Sequence, residues 1–226
     1  MQSFINRLYA TFVMKDRYLI FLDGLKVTLI LTFAGFLLGT ALGALFCAMM
    51  RSRNGFLRKA ANAVTAFFME MPTMVLLMIL VYIVFGRSAV PIMCVISIGF
   101  MLKAASYLSR IFDTALSTVS EGEIEAARTL EMTKLQAFRY VTLPQTVMVA
   151  LPLYRNQFIA TLQETSVVGY LALVDLTRAS SVVSSRTLDA FMSIITVTIM
   201  YFLISAIVKL LFSLVSERYL KGGQTA

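Results

Sequence analysis

The chain has 226 residues, 59% hydrophobic and only 14% charged, with a mean hydropathy of +0.82 and a formal net charge of +8. Soluble domains sit near roughly 45–50% apolar and 25% charged, so these values exclude a soluble globular protein and point to a membrane protein with small water-exposed parts. The basic balance does not indicate nucleic acid, because no Lys/Arg run is interleaved with aromatics on a polar surface; Lys and Arg flanking cytoplasmic span ends account for it.

Residues 1–23 carry apolar side chains at Phe4, Ile5, Leu8, Tyr9, Phe12 and Val13, a one-sided helical pattern. They read as an interfacial helix and lead-in on the external side. Scattered charge and the lack of a small-residue cleavage site argue against a signal peptide. The membrane-embedded body then runs over 24–219. A spanning helix needs about 20 apolar residues. Residues 27–50 hold no charge and form the clearest span. Residues 60–86 give a second, interrupted by Glu70 and Pro72, and 88–110 a third carrying Lys103. Residues 146–163 give a fourth, with Pro152 and Arg155, and 188–215 a fifth. The expected fold is therefore an all-α integral membrane protein with about five transmembrane helices. Cys47 and Cys94 lie in apolar runs and read as reduced packing residues. The chain has no histidine, the commonest metal ligand and general base.

Basic residues cluster after the first and third spans and in the tail, which places those segments in the cytoplasm and the N-terminus outside. The segment between the third and fourth spans, 120–144, is dense in charge. Ser120-Glu121-Gly122-Glu123 and Thr133-Lys134-Leu135-Gln136 have the capping-box form. They predict two short helices, 121–130 and 134–141, with Pro144 resetting the chain before the fourth span. The first contains Glu125, Ala126 and Ala127. The two alanines permit close approach by another surface, and Glu125 offers it a charge; a solvated helix with an internal Glu125–Arg128 pair is the alternative.

Glu70 lies roughly 15 Å along a helix from Ala60, near the membrane midplane. A carboxylate there costs on the order of 2.5–3.5 kcal/mol, so it should face a pore or a partner. Pro72 is expected to leave the Phe68 carbonyl as a free acceptor. The group could receive an ammonium or guanidinium, or pair structurally with Lys103 or Arg155. Asn156, Ala160 and Gln163 share one helix face, which could line a translocation path or join helices as polar glue.

The run EAARTLEMTKLQAFRYVTLP resembles the EAA motif of ABC-importer permeases, with Glu125, Ala126, Ala127, Val141, Leu143 and Pro144 at matching positions. The stretch that follows is similar to the polar amino-acid uptake branch, the permeases of histidine, glutamine and arginine importers, at Asn156, Phe158, Ile159, Leu162, Thr165, Ser166, Leu176, Thr177 and Arg178. The similarity runs from Leu22 to Tyr219. It implies a bacterial inner-membrane permease working by alternating access, with 120–144 as a coupling segment docking on a separate ABC ATPase subunit. It also implies a second permease subunit, the same or similar, and an external solute-binding protein, with an amino-acid substrate and lipid as the remaining partners; Glu70 would suit a basic amino acid. Three positions depart from the family pattern. Glu131 replaces the motif glycine at the turn, where positive φ disfavours Glu. Met69-Glu70-Met71-Pro72 replaces R-G-T-P, and Gln163 replaces a lysine. No G-x-x-x-x-G-K-[ST] loop is present, so ATP hydrolysis is expected on a partner chain, and no cofactor or metal in this one. Leu220-Lys221-Gly222-Gly223-Gln224, in the tail 220–226, mimics an ABC ATPase signature but precedes no helix that could present its amides to phosphate. Two other functions fit the same features: an ion-coupled secondary transporter or channel using Glu70, and an ABC importer of another small solute such as an opine.

Overall fold

A computed structural model describes residues 2–223. Within it, the side chains of Phe4, Ile5 and Leu8 lie outside the described residues, as does the tail from Gln224. Helix α1 (Gln2–Phe12) is followed by a left-handed turn at Lys15 and Asp16, with φ of 60° and 53°. The ring of Phe12 sits 5.6 Å from that of Phe21, and Arg7 pairs with Asp189 at 2.7 Å. The N-terminal helix is thus anchored to the helical body.

Helix α2 (Tyr18–Met50) begins well before the span expected at 27–50. Gly35, Gly39 and Gly43 recur every fourth residue on the face toward helix α5 (Ile92–Leu116). A Cβ on Gly35 would lie 2.5 Å from the Cβ of Phe100, and one on Gly39 would lie 2.8 Å from the Cβ of Ala104. Small residues let two membrane helices approach closely where lipid supplies no hydrophobic drive. The α2–α5 pair is the spine of the fold. One cluster, built from Leu31, Leu77, Ile96, Phe100, Val168 and Leu171, packs against it; another joins Phe36, Ala104, Leu108 and Phe158.

The second expected span is not one helix. Helix α3 (Gly55–Glu70) and helix α4 (Thr73–Met78), the latter continuing as a π turn to Val84, meet at 104°. Pro72 lacks an N–H and forces the preceding residue out of the helical region; Met71 accordingly has φ −71° and ψ 128°. Glu70 therefore ends a helix rather than sitting in the middle of one.

Helix α6 (Glu121–Thr129) matches its expectation closely, whereas the second short helix does not end. Helix α7 (Lys134–Ala137) passes through a π turn (Phe138–Thr142) into helix α8 (Leu143–Glu164). The Leu143 N–H donates five residues back to the Phe138 carbonyl. This wider turn absorbs Pro144, so the proline does not reset the chain as expected. After α8 come a 3-10 segment (Thr165–Leu171), a left-handed Ala172 and helix α9 (Leu176–Thr187), which fills the stretch between the fourth and fifth expected spans. Helix α10 (Ala190–Gly223) closes the chain. Among the described residues, three helices are long and apolar enough to cross a membrane, or up to five crossings if each bent pair counts as one. The second bend, of 51°, lies between α8 and α9.

Candidate functional site

Midway along α5, the Lys103 side chain is 5% exposed and reaches the break between α3 and α4. Its ammonium donates to the carbonyls of Phe68 at 3.1 Å, Met69 at 3.0 Å and Met71 at 2.6 Å. The Tyr107 ring lies 5.5 Å from the same nitrogen. A helix that stops inside a membrane leaves carbonyls that no water can satisfy. Lys103 supplies the missing donors, and the negative end of the α3 dipole suits its charge. The Phe68 carbonyl is therefore not the free acceptor expected from Pro72.

Glu164, at the end of α8, accepts a hydrogen bond from Thr73 Oγ1 at 3.2 Å. This joins α8 to the first residue of α4. The break, the Lys103 ammonium and the Glu164 carboxylate form one polar locus at mid-depth of the bundle.

The sequence-selected residues divide around this locus. Glu70 is exposed on the chain surface and has no hydrogen bond or ion pair among the described residues. Asn156 and Gln163 are also exposed, on α8. Arg155 donates to Asn156 Oδ1 from Nε and Nη2, both at 3.3 Å, and so pairs with neither Glu70 nor Glu164. Glu164, beside Gln163, is the acid that joins α8 to α4, through a partner that sequence spacing does not reveal. Lys103 was considered only as a carboxylate partner; its place in an apolar run 31 residues beyond Pro72 could not reveal that carbonyls are its ligands.

In the 120–144 segment, the Ser120 hydroxyl accepts from the Glu123 N–H at 3.3 Å. Glu123 does not complete that box; its carboxylate accepts from Gln145 Nε2, bracing α6 on α8. At Thr133 the box is complete, with bonds of 2.8 and 3.3 Å. Glu131 lies between, at φ 62°. Its N–H donates to the Arg128 carbonyl at 3.1 Å, and the Met132 N–H to the Ala127 carbonyl at 3.3 Å. These two bonds make a Schellman cap, which ordinarily wants glycine at the left-handed position. The chain makes this left-handed turn with Glu in it. Ala127 is 4% exposed and packs inward, while Glu125 and Ala126 face out. Leu130 and Leu135 are 74% and 75% exposed beside them. Large apolar side chains on an otherwise charged segment are what a docking surface requires.

Comparison with known proteins gives one family. Residues 27–221 match the model described as binding-protein-dependent transport system inner membrane component. The chain is similar to the probable amino-acid permease protein YxeN of Bacillus subtilis, 29% identical with 84% of this chain and 87% of that protein covered. It is similar to the octopine transport system permease protein OccQ of Rhizobium radiobacter, 29% identical over 88% and 89% of the two chains. Among solved structures, a chain from the crystal structure of an amino acid ABC transporter with histidines superposes with a TM-score of 0.79 at 29% identity, covering 88% of this chain and 94% of that one.

Proposed function

The chain belongs to the family of binding-protein-dependent transport system inner membrane components, and from that premise we propose that it is the permease subunit of an ATP-driven ABC importer for amino acids or close derivatives. Membership sets aside the ion-coupled transporter or channel. The chain is a transport component rather than an enzyme, and needs no cofactor of its own. ATP is bound and hydrolysed on separate ATPase subunits, a second permease chain completes the membrane path, and an external binding protein delivers the solute. The N-terminus lies outside and the 120–144 segment and C-terminus lie in the cytoplasm, in keeping with the Lys/Arg distribution.

The observation that carries the reading is mechanical. Glu125, Ala126, Leu130 and Leu135 present an outward rim on a segment capped at both starts. That segment continues without a break from Lys134 through α8 to Glu164. Glu164 in turn holds Thr73 at the α3–α4 break. Displacement of the rim by an ATPase moves a rod whose far end grips the midplane locus. Alternating access follows when that locus is exposed first to one side and then to the other. Glu70, with the Asn156 and Gln163 face, is the proposed contact for the solute, its carboxylate receiving an ammonium or guanidinium. A derivative carrying such a group, as an opine does, is the second reading, favoured by similarity to the octopine permease.

The test is co-purification of the tagged chain from its own membranes, with and without Glu125→Lys, followed by uptake assays across amino acids. An ATPase subunit retained by the native chain and lost from the variant supports the coupling role; no ATPase with either chain refutes it. Unchanged transport rate and solute ranking in Glu70→Gln would remove Glu70 from the path.

A further inference from the structure

A cavity of about 920 Å³ opens where α2 and α5 end and α6 begins. Its lining shares no residue with the midplane locus. Its walls include Cys47 on α2, Leu116 on α5, and Val147 and Ala150 on α8. Its depth is set by Ala44 and Arg51, seven residues or roughly 10 Å apart along α2. The mouth is cationic. Arg51, Arg128 and Lys134 line it, with Glu121 as the one carboxylate among the described lining residues. Arg51 is already committed to Asp113 and Ser117, both at 3.1 Å. Arg128 and Lys134 have no ion-pair partner among the described residues.

An apolar chamber at a membrane boundary, capped by unpaired cations, matches an amphiphile with an anionic head. We propose that it binds one anionic phospholipid, with its phosphate between Arg128 and Lys134 and an acyl chain along the wall from Cys47 to Ala150. A docking ATPase is not the natural occupant. On α6, Glu121, Ile124 and Arg128 face the cavity, whereas Glu125 and Ala126 lie on the outward side. Each face is thus left to a different ligand. Only the choice of leaflet, the cytoplasmic one, rests on the function proposed above.

The test uses the intact transporter with its ATPase, stripped of lipid in mild detergent and followed by native mass spectrometry. Dioleoyl-phosphatidylglycerol is titrated against dioleoyl-phosphatidylcholine, and excess inorganic phosphate is added as competitor. The expected result is at least about tenfold preference for the anionic lipid, insensitive to phosphate. Replacing both Arg128 and Lys134 by Gln should weaken it on the order of 10- to 30-fold. Filling the chamber with Ala48→Phe should weaken it with the charges intact. Equal binding of the two lipids, displacement by phosphate, or full binding to Ala48→Phe would each overturn the proposal. If a variant does not assemble, the lipid preference and phosphate competition of the native assembly still decide. Retention of the ATPase reports separately on the coupling reading.

Discussion

Replacing Lys103 by Met keeps most of the side-chain volume and deletes the ammonium. Three carbonyls, now at 2.6 to 3.1 Å from that nitrogen, would lose their donor. A hydrogen bond involving a charged group is worth about 1.5–3 kcal/mol, and a stranded buried acceptor costs about 1–3 kcal/mol. Against this stands the gain from no longer burying a charge, several kcal/mol in its own right. What stays behind is three neutral carbonyls rather than a charge, so the stranded acceptors less the relieved charge leave a net loss on the order of 1–5 kcal/mol. At about 2–4 °C per kcal/mol for a chain of this size, the midpoint should fall by roughly 2–20 °C. Cys47 is buried and Cys94 exposed, so a thiol-reactive dye on a Cys94→Ser background reports unfolding through Cys47 alone. Glu70→Gln is the control and should leave the midpoint in place. A Lys103→Met midpoint within about 2 °C of the parent, less than 1 kcal/mol on that scale, would refute the claim that Lys103 holds the break together.

Glu131→Gly should relieve a left-handed residue whose cost is about 1–2 kcal/mol, less the backbone entropy glycine gives up, for a net gain of roughly 0.5–1 kcal/mol. Slower amide exchange at Met132, whose N–H closes the cap, would register it. Gly39→Val should drive a Cβ to within 2.8 Å of the Cβ of Ala104 and 3.1 Å of the Met101 carbonyl. Because backbone must move, the expected cost is about 3 kcal/mol or more, read as loss of monodisperse protein on size exclusion. Thr73→Val should remove the 3.2 Å bond to Glu164 at about 1.5–3 kcal/mol. Solute uptake should fall while the ATPase still co-purifies, separating the grip on α4 from docking.

The helical class, the membrane setting and the start of α6 were readable because each rests on local signals: charge-free runs, a serine before a glutamate, and a charged stretch between oily ones. The bend at Pro72 was half readable. Proline announces an interruption, but the 104° angle depends on α4 packing Leu77 against Phe100 and Leu31. Helix α9 was missed because LTRASSVVSSRT is neither apolar enough for a span nor charged enough for a surface helix. It is started by Asp175, which is fully buried and accepts from the Thr177 and Arg178 amides at 2.9 and 3.0 Å. At the midplane, Glu70 drew notice as an isolated carboxylate, yet Lys103 and Glu164 are the residues that tie the helices together. Their partners, three carbonyls and a threonine from distant segments, have no signature in sequence spacing. Ala127 likewise read as half of a docking pair, although only its place on the inner side of α6 shows that it packs toward the bundle.

The π turn between α7 and α8 holds one residue more than an α-helix would use. The Leu143 N–H reaches the carbonyl five residues back, so the surplus residue is looped into one turn and the faces on either side keep nearly the phase of an unbroken helix. Deleting a single residue within Phe138–Thr142 would restore four-residue bonding with Leu135 and the polar face of α8 almost in place. The same deletion inside the regular part of α8 would turn its ends against each other by about 100° and shorten it by roughly 1.5 Å. The turn thus serves as slack in the rod, the one place where a single-residue length change leaves its aim intact.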